Sequence, residues 1–320
     1  MKLPDVDKAE GVIKSKKLTG ELRSEIIINN NIHFFIENRT KDQKKRRYKQ
    51  GYFGIVKKGY LTSDDNRIIY SIKKPKNIED AIGKLSPIQA CQREAKYNHL
   101  QGRQAFCIFH KNWPRLVSNW QSGEEFFEVS KNDVLQQPLK SRLKWFISAL
   151  ADLTLLHENY RVHGDISLSN LVLDIKKESL KLIDFGRSSK PHVTSLEKSE
   201  VESEKDFCDE VDTMGWVMKQ IFLEYINEWE LNGSNFELDK NSDTLKHAFI
   251  MLYKVMRHKE RDLRCRCIDA LNYCCELLNN FENLNHKHLR QIANHTIYRS
   301  DITVADVLHT YLAPGQSNKV

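Results

Sequence analysis

A chain of 320 residues, 40% hydrophobic and 29% charged, has material for one large or two ordinary cores and is not a disordered polymer. A formal net charge of +7 is weaker than a dedicated nucleic-acid binder would carry, although an acidic partner fits it. Seven cysteines with no C-x-x-C exclude a disulfide scaffold of this size, and the adjacent Cys274 and Cys275 suit thiols in a reducing compartment.

The first 31 residues are polar and weakly patterned and read as an arm. From Ile32 to Ile72 the texture is strand-like: His33 to Ile36, Gly54 to Val56 and Ile68 to Ile72 are short apolar or β-branched runs between charged, turn-forming stretches. Ser86-Pro87-Ile88-Gln89 predicts a helix start, with Ser86 as N-cap, Pro87 at the first helical position and Gln89 closing a capping box. Phe126 to Val129 reads as a strand. Lys140 to His157 reads as an amphipathic helix with Leu143, Phe146, Ile147, Leu150, Leu153 and His157 on one stripe. Asn170 to Phe185 is strand-rich, and the acidic stretch Glu197 to Glu210 reads as a loop.

Met214, Val217, Met218, Ile221, Phe222, Tyr225, Ile226 and Trp229 then mark a wide apolar helical face, that of a buried central helix. Helices dominate from Leu245 to about Leu312. The class is therefore α+β, strand-rich first and helical after a composition shift near residue 130. No apolar run approaches the roughly 20 residues that span a bilayer. The N-terminus also lacks a signal-peptide h-region, so the expected place is a cytosol, reached directly or by a route that leaves no cleavable signal.

The chemistry concentrates in two segments. In Val162-His163-Gly164-Asp165-Ile166-Ser167-Leu168-Ser169-Asn170, Asp165 and Asn170 sit five residues apart between an amphipathic helix and a strand. Such a loop can aim Asp165 at a hydroxyl and let Asn170 reach a metal. Leu182-Ile183-Asp184-Phe185-Gly186 follows, with Asp184 at a strand end and Gly186 letting the chain turn away. These segments resemble the catalytic loop and the D-F-G motif of protein kinases. Gly51-Tyr52-Phe53-Gly54-Ile55-Val56 resembles the second half of the kinase glycine-rich loop, with Lys49 where the first glycine would stand, and Tyr70-Ser71-Ile72-Lys73 resembles V-A-I-K.

The resemblance covers about residues 32–280. It implies a two-lobed kinase-like fold: an N-terminal arm over 1–31, a small strand-rich N-lobe over 32–130, a larger helical C-lobe over 131–280 and a helical extension over 281–320. It implies ATP and Mg²⁺, with Mn²⁺ as an alternative metal. Asp165 would orient and deprotonate the acceptor hydroxyl. Asn170 and Asp184 would hold the metal, and Gly51, Gly54 and Val56 would cover the nucleotide. Lys73 would bind phosphates, Lys74 being the alternative register, with Glu94 or, less favoured, Glu79 as its partner. The expected function is an atypical protein kinase acting on Ser or Thr. The alternatives are a small-molecule kinase of the aminoglycoside or choline type and a pseudokinase scaffold, although a scaffold needs none of Lys73, Asp165, Asn170 and Asp184.

Four departures set the chain apart from ordinary protein kinases. Gly164 replaces the arginine that pairs with a phosphorylated activation loop. The segment after Gly186 is short and lacks A-P-E. The aspartate that opens the central helix is out of register, leaving Asp209, Glu210 and Asp212 as candidates. Helix continues past residue 281. Outlying kinases share the first three departures, among them bacterial effector kinases, and the Asn-, Lys- and Ile-rich composition points to action in a host cytosol.

Two basic clusters remain. Lys41, Lys44, Lys45, Arg46, Arg47 and Lys49 precede the glycine-rich turn. They read as a solvated hairpin tip or as a polyanion site for an inositol phosphate, a phosphoinositide headgroup or, a weaker fit, nucleic acid. In the second, Arg257 to Arg266, one of Arg261 and Arg264 is expected to be buried and paired. Cys267, Cys274 and Cys275 share a helical face with Leu263, Leu271 and Leu278 and read as core.

Overall fold

β-branched and aromatic residues recur in short runs through the first third of the chain, and in the computed structural model the strands there pair antiparallel. Residues 15–18, 21–28, 31–37, 49–51, 54–61, 68–75, 86–110, 113–191, 199–232 and 244–296 are described. They form two compact units, one of Met1–Gln121 with Asp184–Ser188 and one of Ser122–Ile183 with Ser189–Val320.

The first unit is built on one sheet of β1 (Ser15–Leu18), β2 (Glu21–Ile28), β3 (Asn31–Glu37), β4 (Lys49–Gly51), β5 (Gly54–Leu61), β6 (Ile69–Pro75), β7 (Ala105–His110) and β8 (Trp113–Asn119). The order is β1-β2-β3-β5-β6-β8-β7. The stretch read as an arm thus contributes two strands. One side of β5 carries two short partners: β4 pairs with residues 54–56 and β3 with residues 59–61. Gly51 pairs with Gly54.

Helix α1 (Pro87–Leu100) opens as the sequence predicts. Ser86 accepts from the Gln89 N–H, and Gln89 reaches back to the Ser86 N–H. Its inner face, Cys91 and Ala95, packs on Ala105, Cys107 and Leu116. A second cluster of Leu61, Tyr70, Ile72, Ile108 and Val117 joins the strands.

The second unit is mostly helical: α2 (Lys131–Leu135), α3 (Leu139–Glu158), α4 (Ser199–Ile221), α5 (Leu223–Asn232), α6 (Thr244–Met256), α7 (Cys267–Asn279) and α8 (His286–Thr296). A small sheet joins β9 (Glu124–Glu125), β10 (Leu171–Asp174) and β11 (Ser179–Leu182). The predicted α3 stripe is core, with Leu143, Phe146, Ile147, Leu150 and Leu153 fully buried. Cys267, Cys274 and Cys275 are buried, as expected, but Leu263 is exposed because it lies on a 3-10 turn before α7.

Three further expectations change. Phe126 to Val129 is no strand: Phe126–Glu128 form a 3-10 turn, closed by the Val129 N–H on the Phe126 carbonyl, and Ser130 then caps α2. The acidic stretch is helical from Ser199 rather than a loop. The central helix breaks at Phe222, where Arg142 of α3 donates to the Ile221 carbonyl at 2.9 Å and pairs with Glu224 at the start of α5.

Candidate functional site

Lys73 sits in β6 opposite Val56 of β5 and Leu116 of β8. Strand alternation turns its side chain inward and leaves Lys74 exposed. The buried Lys73 Nζ lies 3.0 and 2.9 Å from the Oε1 and Oε2 of buried Glu94 and 2.6 Å from Asp184 Oδ1. Glu79 lies outside the described residues.

Burial alone would lower the lysine's pKa, but the charges of Glu94 and Asp184 and their hydrogen bonds outweigh it, so Lys73 is held above its ordinary value and stays an ammonium. Burial lifts the Glu94 carboxyl to about 7 against the pull of Lys73, and Asp184's charge adds to the lift. The two shifts are consistent: Lys73 lies between two carboxylates, and buried Glu94 carries the cost of ionising in a dry place.

Asp184 adopts a left-handed backbone, φ 60°, and its side chain accepts from the Gly186 N–H at 3.3 Å. Few side chains tolerate this conformation, and aspartate is one that does. Gly186 leaves room for the carboxylate: a Cβ there would stand 3.1 Å from Asp184 Oδ1, which would have to give by a few tenths of an ångström. Phe185 is fully buried, its ring centroid 6.4 Å from that of Tyr97, with the Arg103 guanidinium 5.5 Å from it.

The second unit holds the other loop. After α3 the chain passes through Val162, which bridges Ser189, to buried His163. His163 Nε2 lies 3.1 Å from the Ile183 carbonyl. Asn170 donates from Nδ2 to the Asp165 carbonyl at 2.7 Å and to Asp165 Oδ2 at 3.1 Å, while the Ile183 N–H donates to the Asn170 carbonyl. Gly164 has φ 75°, a conformation that favours glycine over the arginine of the kinase pattern.

Of the three acids left open at the start of the central helix, Glu210 holds this loop. Its Oε2 accepts from the His163 N–H at 3.0 Å and its Oε1 from the Gly164 N–H at 2.6 Å, while His157 Nε2 lies 3.0 Å from Oε2. Burial opposes ionisation of Glu210, but the His157 hydrogen bond, the charges of His157 and His163 and the Gly164 N–H hold its carboxyl below the ordinary range. Asp209 instead pairs with Arg261 and Arg264, and Asp212 with Arg257. Neither Arg261 nor Arg264 is fully buried; Arg264 is the less exposed of the two, is paired, and also donates to the Cys208 carbonyl. The signal for Glu210 was in the spacing: residues 210, 214, 217 and 221 recur along the buried face of α4.

Lys49, Gly51 and Gly54 lie in the paired strands β4 and β5. Lys41, Lys44, Lys45, Arg46 and Arg47 lie outside the described residues. Among the described residues no three His, Cys, Asp or Glu side chains converge as a metal cluster, and no helix is long and apolar enough to cross a membrane.

No protein-family model matches the chain. Over 148 residues it is 28% identical to the dual specificity protein kinase zakA of Dictyostelium discoideum, a match over 44% of this chain. The match spans 18% of that relative's length. The similarity suggests a kinase-like relationship.

Proposed function

We propose that the chain is a protein-kinase-like phosphotransferase on a two-lobed scaffold, moving the γ-phosphoryl group of Mg²⁺-ATP to a protein hydroxyl, Ser or Thr by default. The observation that carries this reading is the buried Lys73 ammonium gripped by Glu94 and Asp184. Mg²⁺ takes hard oxygen ligands and keeps few from protein, usually one or two carboxylates beside substrate phosphates. The Asp184 carboxylate is of this kind, and so is the Asn170 side-chain oxygen, whose NH₂ is engaged by Asp165. When bound, the metal supplies neutralisation of charge between the phosphates. Lys73 binds the α- and β-phosphates, Glu94 keeps its ammonium in place, and Gly51, Gly54 and Val56 cover the nucleotide. Asp165 orients the acceptor hydroxyl and accepts its proton.

Incubating the purified chain with Mg²⁺-ATP and weighing it by mass spectrometry tests this. Phosphate should appear on the protein, and Asp184→Ala and Asp165→Ala should abolish it, the latter with nucleotide binding retained. Wild-type turnover by either variant would sink the assignment. The short stretch from residue 188 to 198 before α4 favours a second reading, a small-molecule kinase, because little chain remains to build a peptide platform. Phosphate on aminoglycosides or choline and none on protein would select it. For the basic run from Lys41 to Lys49 we propose a polyanion such as an inositol phosphate. Unchanged melting temperature and rate with inositol hexakisphosphate at moderate salt would remove that part.

A further inference from the structure

We infer that Arg93 is a positioning residue that latches the Asp184-Phe185-Gly186 turn to α1, and so sets where Asp184 presents its carboxylate; its catalytic meaning rests on the phosphotransfer reading above. Arg93, Glu94 and Tyr97 project from adjoining positions of α1, since residues i and i+4 share a face. Each is tied to a different residue of the turn, Glu94 through Lys73. Glu94 grips Lys73, which grips Asp184 Oδ1 at 2.6 Å. Tyr97 lies against Phe185. Arg93 Nη2 donates to the Gly186 carbonyl at 2.6 Å.

The Arg93 contact differs from the others in kind. The guanidinium is partly buried, its hydrogen bond goes to a main-chain oxygen while the Glu94 carboxylate acts on it through charge alone, and its Nε is buried and makes no hydrogen bond. A cation in that setting loses hydration without a full ion pair in return, so stability alone is a poor reason for it. It does fix geometry. Lys73's hold on Asp184 competes with any cation that Asp184 binds. Arg93's hold on the Gly186 carbonyl does not, because it leaves the carboxylate untouched. Arg93 is therefore the hydrogen bond that, beside the Tyr97–Phe185 packing, keeps the left-handed turn on α1 when the carboxylate is engaged elsewhere.

Hydrogen exchange of the nucleotide-free full chain tests the latch without any assay of activity. In Arg93→Met, amides of Phe185 to Ser188 should exchange roughly tenfold faster, the scale for loss of a charge-assisted hydrogen bond, with β6 and α1 protected as before. Arg93→Lys, which keeps one donor, should restore most of the protection. In the phosphotransfer assay Arg93→Met should lower kcat about tenfold and change the KM for ATP far less. Unchanged exchange in Arg93→Met overturns the proposal. So does equal acceleration throughout the first unit, which would make Arg93 an ordinary stabilising residue. If the turn loosens in Arg93→Met and recovers in Arg93→Lys while the wild-type chain transfers no phosphate, the latch stands and the phosphotransfer reading falls.

Discussion

Removing the Glu210 carboxylate should undo the loop that carries Asp165. Glu210→Ala strips acceptors from the His163 and Gly164 N–H groups and from His157, all bonded within 3.0 Å. A buried donor left without an acceptor costs about 1–3 kcal/mol. Two main-chain donors therefore put the loss at about 4 kcal/mol, a large part of a domain's net stability. At roughly 2–4 °C per kcal/mol the melting temperature should fall by about 10 °C. Glu210→Gln keeps one accepting oxygen but turns an NH₂ toward a second donor, and should lose about half as much. Thermal unfolding by circular dichroism, with hydrogen exchange at residues 163 and 164, reads both. The acid side gives an independent handle. The folded-state pKa of Glu210 lies below its ordinary value, so its contribution is present above that value and lost as pH falls through the folded one. Glu210→Gln should lack that acid-side decline. A Glu210→Gln protein that melts within a degree of wild type, with residues 163 and 164 still protected, would refute the reasoning.

Other outcomes follow from the same contacts. Lys73→Met leaves Glu94 and Asp184 facing each other without their ammonium, and should abolish transfer and lower the melting temperature at pH 7 more than at pH 5, since protonation relieves the repulsion. The raised pKa of Glu94 means that its contribution is complete below the ordinary carboxylate range and is lost as pH rises to about 7; Glu94→Gln should flatten the stability profile in that window. Gly164→Ala forces a side chain into a left-handed backbone and should cost about 1 kcal/mol, read as a small fall in melting temperature; an unchanged value would mean that the loop adapts. With Gly164 in place of a phosphate-receiving arginine, alanine at Thr194, Ser195, Ser199 and Ser203 should leave transfer within a few-fold of wild type, and a large loss with folding intact would show a phospho-switch.

What could be read along the chain was local or periodic. The Ser86 capping box, the α3 stripe and the inward side of β6 each rest on a few neighbouring residues, and Lys73 and Glu94 meet because an inward strand position faces an inward helix position. What could not be read depended on distant partners. The break at Phe222 is set by Arg142, some eighty residues earlier in the chain. The role of Glu210 emerged only when its oxygens met two N–H groups on a loop far upstream, whereas acidity alone left it level with Asp209 and Asp212. The acidic start of α4 misled because charge density suggests solvated loop, although it equally suits the first turns of a helix. The strands β1 and β2 carry enough lysine, arginine and glutamate to obscure their alternation.

The Asp184–Ser188 turn belongs to a unit whose other residues end at Gln121. That unit is therefore discontinuous in the order of synthesis. At roughly 5–20 residues per second, a ribosome has seconds of work between making the seat for Phe185 and making Phe185 itself. Through that interval Tyr97 and Arg103 lack the ring they pack against, and transiently exposed surface of this kind is what chaperones hold. A recombinant fragment stopped at Gln121 would remain in that state indefinitely. A short peptide bearing Asp184 to Ser188, added in trans, should raise its solubility.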